Sequence, residues 1–106
     1  MPVTSVAIVR PKPGKSAELQ RLLSAIRNFA LSKLEPGCLS YRVVATPLGD
    51  GSDEVKEFVC IEEYEDEEAV QAHGIANPGV KDLVEALQAG EVFAEPPTIL
   101  GPLKEV

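Results

Sequence analysis

The sequence contains no tryptophan, one histidine and two cysteines, Cys38 and Cys60. Two cysteines are too few for a disulfide framework, and no histidine or cysteine pair has the spacing of metal ligands. Both cysteines are therefore expected to be free thiols that lie in strands as small buried apolar residues. The residues present give no reason to expect a metal ion or another cofactor.

Basic residues are also scarce, since 10 lysines and arginines stand against 17 aspartates and glutamates, a formal net charge of -7. An acidic protein repels phosphate backbones and anionic lipid headgroups, so nucleic acids and membranes are poor candidates as partners. No apolar run approaches the roughly 18 residues of a membrane span, and residues 1–4 lack the layout of a signal peptide. We therefore expect a soluble, cytoplasmic protein.

The length of 106 residues predicts one domain over 1–106, because two domains of half that size would each bury too little surface. The β-branched stretch 3–10 predicts a first strand, which ends at the prolines of 11–14. Apolar residues then recur at helical spacing and predict a helix from Ser16 to about Leu34. The segment 35–37, with its proline and glycine, should stop this helix.

Two further strands and a second helix follow along the chain. Residues 38–46 and 55–64 alternate in polarity with turn-forming residues between them, so they predict two strands joined by a hairpin. Asp66 is a suitable N-cap for the second helix. We expect this helix to break over 74–79 and to resume as far as Gly90.

A short edge strand over 98–103 completes the order strand, helix, strand, strand, helix, strand. This order predicts an α+β, ferredoxin-like βαββαβ fold with a four-stranded antiparallel sheet. Apolar side chains point to both faces of the strands, with Val6 and Ile8 opposite Ala7 and Val9. Because two helices cover only one face, a second copy of the chain should cover the other, and a homodimer is expected.

Three segments stand out for their order and spacing: KPGK at 12–15, EPGCLSY at 35–41, and the acidic run that leads to a histidine at 62–73. Together they resemble the antibiotic biosynthesis monooxygenase family. The resemblance implies a dimeric α/β barrel, in which two sheets pack face to face and each subunit keeps a pocket between its sheet and helices. Some members of that family oxidise quinol-like or anthrone-like aromatics with molecular oxygen and without flavin, metal or haem, whereas others degrade haem, process small signalling metabolites or have no known activity.

The haem-degrading branch of this family differs from the present sequence. That branch typically uses an Asn on the first strand, a Trp in the pocket and a His on the second helix as iron ligand. Here strand 3–10 has no Asn, the chain has no Trp and segment 80–87 has no His. Haem is therefore not an expected ligand.

His73 is the first candidate for a catalytic base, because an imidazole with an unperturbed pKa of about 6.5 exchanges protons near neutrality. If the second helix packs His73 towards the sheet, the ring could abstract a hydroxyl proton from a substrate. Alternatively, His73 stabilises the carbonyl groups at the end of its helix. Tyr64 is the second catalytic candidate, since its hydroxyl could donate a hydrogen bond to a bound oxygen, although packing is its alternative role.

Four residues are candidates for substrate binding: Asn28, Tyr41, Arg42 and Phe58. Asn28 and Arg42 are polar groups that could orient a carbonyl or phenolate, whereas Tyr41 and Phe58 belong to apolar rows on their strands. For each, contact with water, the dimer interface or the core is the alternative. The acidic run over 62–68 is not predicted to bind metal, because its side chains diverge and acidic residues favour a helix N-terminus.

Three functions remain open at this point. The first is a cofactor-independent monooxygenase acting on a small aromatic, quinol or polyketide-like metabolite. The second is a non-oxidative isomerase, cyclase or lyase that uses His73 as general base. The third is a non-catalytic, stress-associated dimer that binds a small molecule, which would fit the small number of functional polar residues.

Overall fold

The computed structural model describes residues 2–106, in which four strands and three helices follow the predicted order. The elements are β1 (Val3–Val9), α1 (Ser16–Ala30), β2 (Cys38–Pro47), β3 (Val55–Tyr64), α2 (Glu67–Ala76), α3 (Pro78–Ala89) and β4 (Thr98–Leu103). The strands form one sheet in the order β2-β3-β1-β4, and every neighbouring pair is antiparallel. This arrangement confirms the predicted ferredoxin-like fold, with β4 at an edge as expected.

Helix α1 ends at Ala30, four residues earlier than the predicted end at Leu34. The Ser32 hydroxyl donates to the Phe29 carbonyl at 2.6 Å, and the Ser32 N–H donates to the same oxygen at 3.0 Å. A serine that bonds the backbone in this way competes with the next helical hydrogen bond. The helix therefore gives way to a turn before the proline and glycine are reached.

The break in the second helix is much narrower than the predicted segment 74–79. Only Asn77 separates α2 from α3, and its extended backbone is the conformation that a following proline imposes. Pro78 then occupies the first turn of α3, where its missing N–H costs nothing. None of the helices within residues 2–106 is both long and apolar enough to cross a membrane.

Asn77 also attaches α3 to α1. Its side-chain amide donates to the Ile26 carbonyl at 3.1 Å, while its Oδ1 accepts from the Gly79 N–H at 2.9 Å. A Cβ on Gly79 would lie 2.8 Å from the Ile26 side chain, so glycine permits the close approach of the two helices. The Asn77 side chain is 2% exposed, and both its polar atoms are satisfied.

The hydrophobic core lies between the sheet and the helices. Its centre combines the inner stripe of α1 with inward-facing residues of the sheet and with the segment that follows α3. The buried members are Val9, Leu19, Leu23, Ile26, Ala30, Tyr41, Phe58, Cys60, Val92 and Phe93. Both cysteines are free thiols, as predicted.

The opposite face of the sheet, which we call the open face, carries no helix and is apolar at its centre. Val6 pairs with Ile61 and Ile8 pairs with Val59, and none of these four is fully buried. Two further members of the open face, Val44 and Leu100, are 39% and 47% exposed. The predicted two-sided distribution of apolar residues is therefore present in the fold.

Asn77→Ala should lower the free energy of unfolding by about 1–3 kcal/mol, because it removes a helix cap and leaves buried backbone groups without partners. Urea unfolding followed by circular dichroism measures this loss. Asn28→Ala is the matched control, since Asn28 is exposed on α1, and its effect should stay within about 0.5 kcal/mol. Equal effects of the two substitutions would contradict a structural role for Asn77.

Candidate functional site

A cavity of about 210 Å³ opens between the helix-covered face of the sheet and helices α1, α2 and α3. Most of its wall is apolar, and its polar groups come from a few side chains on the strands and on α2. The lining residues are Ser5, Ala7, Val9, Leu23, Ile26, Tyr41, Cys60, Glu62, Val70, His73, Val80, Leu83, Pro97 and Ile99. A concave, mainly apolar site with a few convergent polar groups is the usual form of a small-molecule pocket.

His73 lies in the last turn of α2, and its side chain is directed to this cavity and not along the helix axis. Its Nδ1 is 2.6 Å from Oε1 of Glu35, and the two side chains are only 12% and 6% exposed. Its ring also packs near Tyr41 and Tyr64, with centroid distances of 5.8 and 5.4 Å. The carboxylate partner fixes the orientation of the imidazole.

Glu35 reaches His73 because the turn that contains it packs directly against α2. A Cβ on Gly37 would lie 2.5 Å from the Ala69 side chain, so only glycine allows this approach. The Gly37 carbonyl also accepts from the Glu65 N–H at 3.0 Å. The other oxygen of the Glu35 carboxyl, Oε2, is buried and has no hydrogen-bond partner.

A second carboxyl, that of Glu62, enters the cavity from β3. Its Oε1 accepts a hydrogen bond of 2.6 Å from the Tyr64 hydroxyl and lies 3.8 Å from Nε2 of His73. The latter distance is too long for a hydrogen bond. Nε2 therefore lies beside a carboxyl group at the wall of the cavity, and one ligand atom could contact both from the cavity side.

Burial controls the protonation of several groups around the cavity. It raises the pKa of the Glu62 carboxyl, although the Tyr64 hydrogen bond and His73 oppose this shift. Burial also raises the pKa of the Cys60 thiol to about 12 and raises those of the Tyr41 and Tyr64 phenols. At neutral pH the thiol and both phenols are therefore protonated and can donate hydrogen bonds but not accept a proton.

The structure brings His73, Tyr41 and Tyr64 together, but they occupy different positions. His73 and Tyr41 line the cavity, whereas Tyr64 is fully buried behind it and contacts Glu62 and His73. Phe58 is a core residue that borders a separate cavity of about 100 Å³ between α1 and β2.

Asn28 and Arg42 are not part of this constellation. Asn28 is exposed on α1, where its side chain accepts from that of Arg27. Arg42 is exposed on β2 and pairs in register with Ile61, which places it on the open face. The roles predicted for Asn28 and Arg42 in substrate binding receive no support from their positions.

Glu35 and Glu62 were not predicted as site residues, although one of them carried a signal. The alternation of β3 places Glu62 on the same face as Phe58, Cys60 and Tyr64, and a carboxylate on an apolar face is unusual. Glu35 carried no such signal, because only the folded turn brings it to His73. Within residues 2–106, no three His, Cys, Asp or Glu side chains are arranged to hold a metal ion.

Comparison with known proteins provides the family context of this site. The model of the family described as antibiotic biosynthesis monooxygenase matches residues 2–86. Rv0793 from Mycobacterium tuberculosis is similar at 31% identity and a TM-score of 0.71, over 99% of this chain and 98% of that one. No curated protein sequence matches the chain significantly.

More distant solved structures share the fold. PA3566 from Pseudomonas aeruginosa is 23% identical with a TM-score of 0.73, over 99% of this chain and 95% of that one. A conserved protein from Methanosarcina mazei is 22% identical with a TM-score of 0.76, over 98% and 94% of the two chains.

Glu62→Gln should change how stability depends on pH. Because burial places the folded-state pKa of Glu62 above its ordinary value of 4.5, the folded protein holds the proton more tightly than the unfolded chain. The free energy of unfolding of the wild type therefore falls as pH rises from 4.5 through the folded-state pKa. Glu62→Gln lacks this decline, so its stability relative to the wild type should increase over that interval and then become constant.

Urea unfolding at several pH values measures this difference. Glu63→Gln is the matched control, because Glu63 is the exposed neighbour on β3 and is solvated in both states. Its stability relative to the wild type should change little with pH. A wild type that gains stability relative to Glu62→Gln as pH rises would contradict the assignment.

Proposed function

Because the chain belongs to the antibiotic biosynthesis monooxygenase family, we propose that it oxidises a small aromatic, quinol or polyketide-like molecule with molecular oxygen. The contact between His73 and Glu35 at the wall of an apolar cavity is the observation that carries this proposal. It provides an oriented base where a small molecule would bind. A cavity of 210 Å³ is smaller than the roughly 300–1,000 Å³ of sites for drug-sized ligands, which favours a small substrate.

His73 is the proposed general base. The Glu35 carboxyl, 2.6 Å from Nδ1, favours the tautomer that carries its proton on Nδ1, which leaves the Nε2 lone pair available to a substrate. Nε2 then accepts a hydroxyl or activated C–H proton from the substrate, and the Glu35 carboxylate stabilises the resulting imidazolium. This is the acid–imidazole arrangement by which enzymes keep a histidine in one tautomer.

Removal of this proton makes the aromatic ring electron-rich enough to react with oxygen. For an anthrone-like substrate, a CH₂ group and O₂ give a C=O group and water, so the substrate supplies all the electrons and no external reductant is needed. The apolar wall limits access of water and strengthens the electrostatic interactions of the site. Within this proposal the protein supplies the base, the orientation and the dry cavity.

Tyr64 has a positioning role in this proposal and does not contact the substrate. Its hydroxyl fixes the Glu62 carboxyl at 2.6 Å, and its ring packs beside His73. Tyr41 is the aromatic side chain that lines the cavity itself, and it is placed to pack against the ring of the substrate.

A second copy of the chain is proposed to cover the open face. The paired residues Val6, Ile8, Val59 and Ile61 lie at its centre, and contiguous apolar surface of this kind on a sheet marks an interface. Two copies related by a two-fold axis would bury it symmetrically, without using the cavity on the other side of each sheet.

A non-oxidative isomerase, cyclase or lyase is the second candidate, because the same His73–Glu35 pair could abstract a proton in a reaction that uses no oxygen. The two functions share the base and differ in oxygen consumption. Oxygen uptake therefore separates them directly.

Purified protein should consume oxygen above the buffer rate with at least one member of a panel of anthrones and hydroquinones. His73→Ala should reduce this rate by about 100-fold or more, because it removes the general base. Asn28→Ala, an exposed change on α1, should leave it unchanged. An oxygen electrode measures all three rates, and turnover that consumes no oxygen would support the non-oxidative function.

The wild type should sediment as a dimer at micromolar concentration, since a two-fold contact would bury the apolar centre of the open face. The double variant Val44→Lys and Leu100→Lys should sediment as a folded monomer, because both residues are exposed on that face in the isolated chain. Ile75→Lys is the control, since Ile75 is 87% exposed on α2, away from the sheet. A monomeric wild type would contradict the proposed dimer.

A further inference from the structure

The cavity described above contains acidic groups but no cationic side chain. Among the residues that line it, the ionisable groups are Glu62, His73, Tyr41 and Cys60, and neither lysine nor arginine is present. The carboxyl of Glu35 lies directly behind His73, at 2.6 Å. The groups at this site that can carry a charge near neutrality are therefore one imidazole and two carboxyls, of which Glu62 lines the cavity and Glu35 lies behind His73.

The net charge of this cluster is zero or negative in every protonation state of Glu35, Glu62 and His73 except one. Tyr41, Cys60 and Tyr64 are protonated and neutral, so the charge depends on Glu35, Glu62 and His73. The cluster is positive only if His73 is protonated while both carboxyls are neutral. If either carboxyl is ionised, the cluster is neutral or negative and offers an anionic ligand no net attraction.

Backbone amides do not replace the missing cation. Helix α3 begins beside the cavity, and a free helix N-terminus would attract an anion. Here Asn77 already uses these donors, because its Oδ1 accepts from Gly79 and its carbonyl accepts from the Val80 N–H at 3.1 Å. The N-terminus of α2 lies at Asp66, whose side chain accepts from the Ala69 N–H.

We propose that the cavity selects uncharged, hydroxyl-bearing molecules and rejects carboxylates of the same shape, with Glu62 receiving the hydroxyl hydrogen bond. This inference deepens the proposed function, on which it rests for the identity of the site. A neutral hydroxyl donates to the Glu62 carboxyl or to His73 Nε2, which lie 3.8 Å apart. An anion placed there would be desolvated beside like charge.

Glu62 is well suited to this role because its carboxyl is held in place and lines the cavity. Its side chain is 8% exposed, and the Tyr64 hydroxyl donates to its Oε1. Ser5, which pairs with Glu62 in register on β1, borders the same part of the wall. The hydroxyl of a ligand would thus hydrogen-bond to fixed polar groups, while the ring of the ligand contacts the apolar wall.

Isothermal titration calorimetry at pH 7 with 2-naphthol and 2-naphthoate tests the proposal, because the first is uncharged and the second is ionised. We expect 2-naphthol to bind at least about 10-fold more tightly, since the carboxylate of 2-naphthoate would lie beside acidic groups. Glu62→Gln should reduce this ratio by about 10-fold, by weakening naphthol binding and relieving the rejection of naphthoate. Glu63→Gln, the exposed neighbour on the open face, should leave the ratio unchanged.

Four results would overturn the proposal: naphthoate binding as tightly as naphthol, no binding of either, an unchanged ratio in folded Glu62→Gln, or tighter binding of the ammonium analogue 2-naphthylmethylamine. The last result would identify a cation site. Circular dichroism establishes that each variant is folded. Because binding is measured without turnover, selectivity without oxygen uptake would refute only the oxidative function, whereas oxygen uptake without selectivity would refute only this inference.

Discussion

The helices of this protein cover one face of a four-stranded sheet, and this one-sided cover determines where the cavity and the open face lie. On the covered face, α1 packs on the sheet, α3 packs against α1, and α2 follows the end of β3 and contacts β2 and β3. The cavity forms between these helices and the sheet, above β1 and β3. On the other face, the pairs Val6–Ile61 and Ile8–Val59 stay partly accessible to water. The cavity and the proposed dimer interface are therefore on opposite sides of one layer.

Within the cavity, the unusual feature is a group of buried acids around one imidazole. Burying a carboxyl is costly unless it is hydrogen-bonded or paired, and both Glu35 and Glu62 are nearly inaccessible. His73 pairs with Glu35, and Tyr64 donates to Glu62, yet Oε2 of Glu35 has no partner. Buried polar groups with incomplete hydrogen bonding are common at functional sites, where stability is lost in order to place reactive groups. Catalysis by His73 and discrimination by Glu62 are two proposed uses of the same cluster.

Much of the fold could be predicted from the sequence, because periodicity reports which side chains face the core. The alternation of β3 and the helical spacing of α1 gave the correct element types and order. The ends of elements were less predictable, since they depend on single hydrogen bonds: Ser32 ends α1 early, and Asn77 with Pro78 limits the break between α2 and α3 to one residue.

The site was only partly predictable, for a different reason. His73 could be proposed from its chemistry alone, and the fold places it at the cavity. Its partner Glu35 is 38 positions away along the chain and meets it only because Gly37 lets the turn approach α2. Asn28 and Arg42, which were candidates for substrate binding with water or the dimer interface as the alternative, are exposed on α1 and on the open face. Contacts between distant segments depend on three-dimensional packing, which local patterns do not encode.

The most direct test of the proposed site is a high-resolution crystal structure of the protein soaked with 2-naphthol. We expect the naphthol ring in the cavity between sheet and helices, with the hydroxyl oxygen within hydrogen-bond distance of His73 Nε2 or the Glu62 carboxyl. An occupied open face with an empty cavity, or a ligand whose hydroxyl points away from both residues, would contradict it.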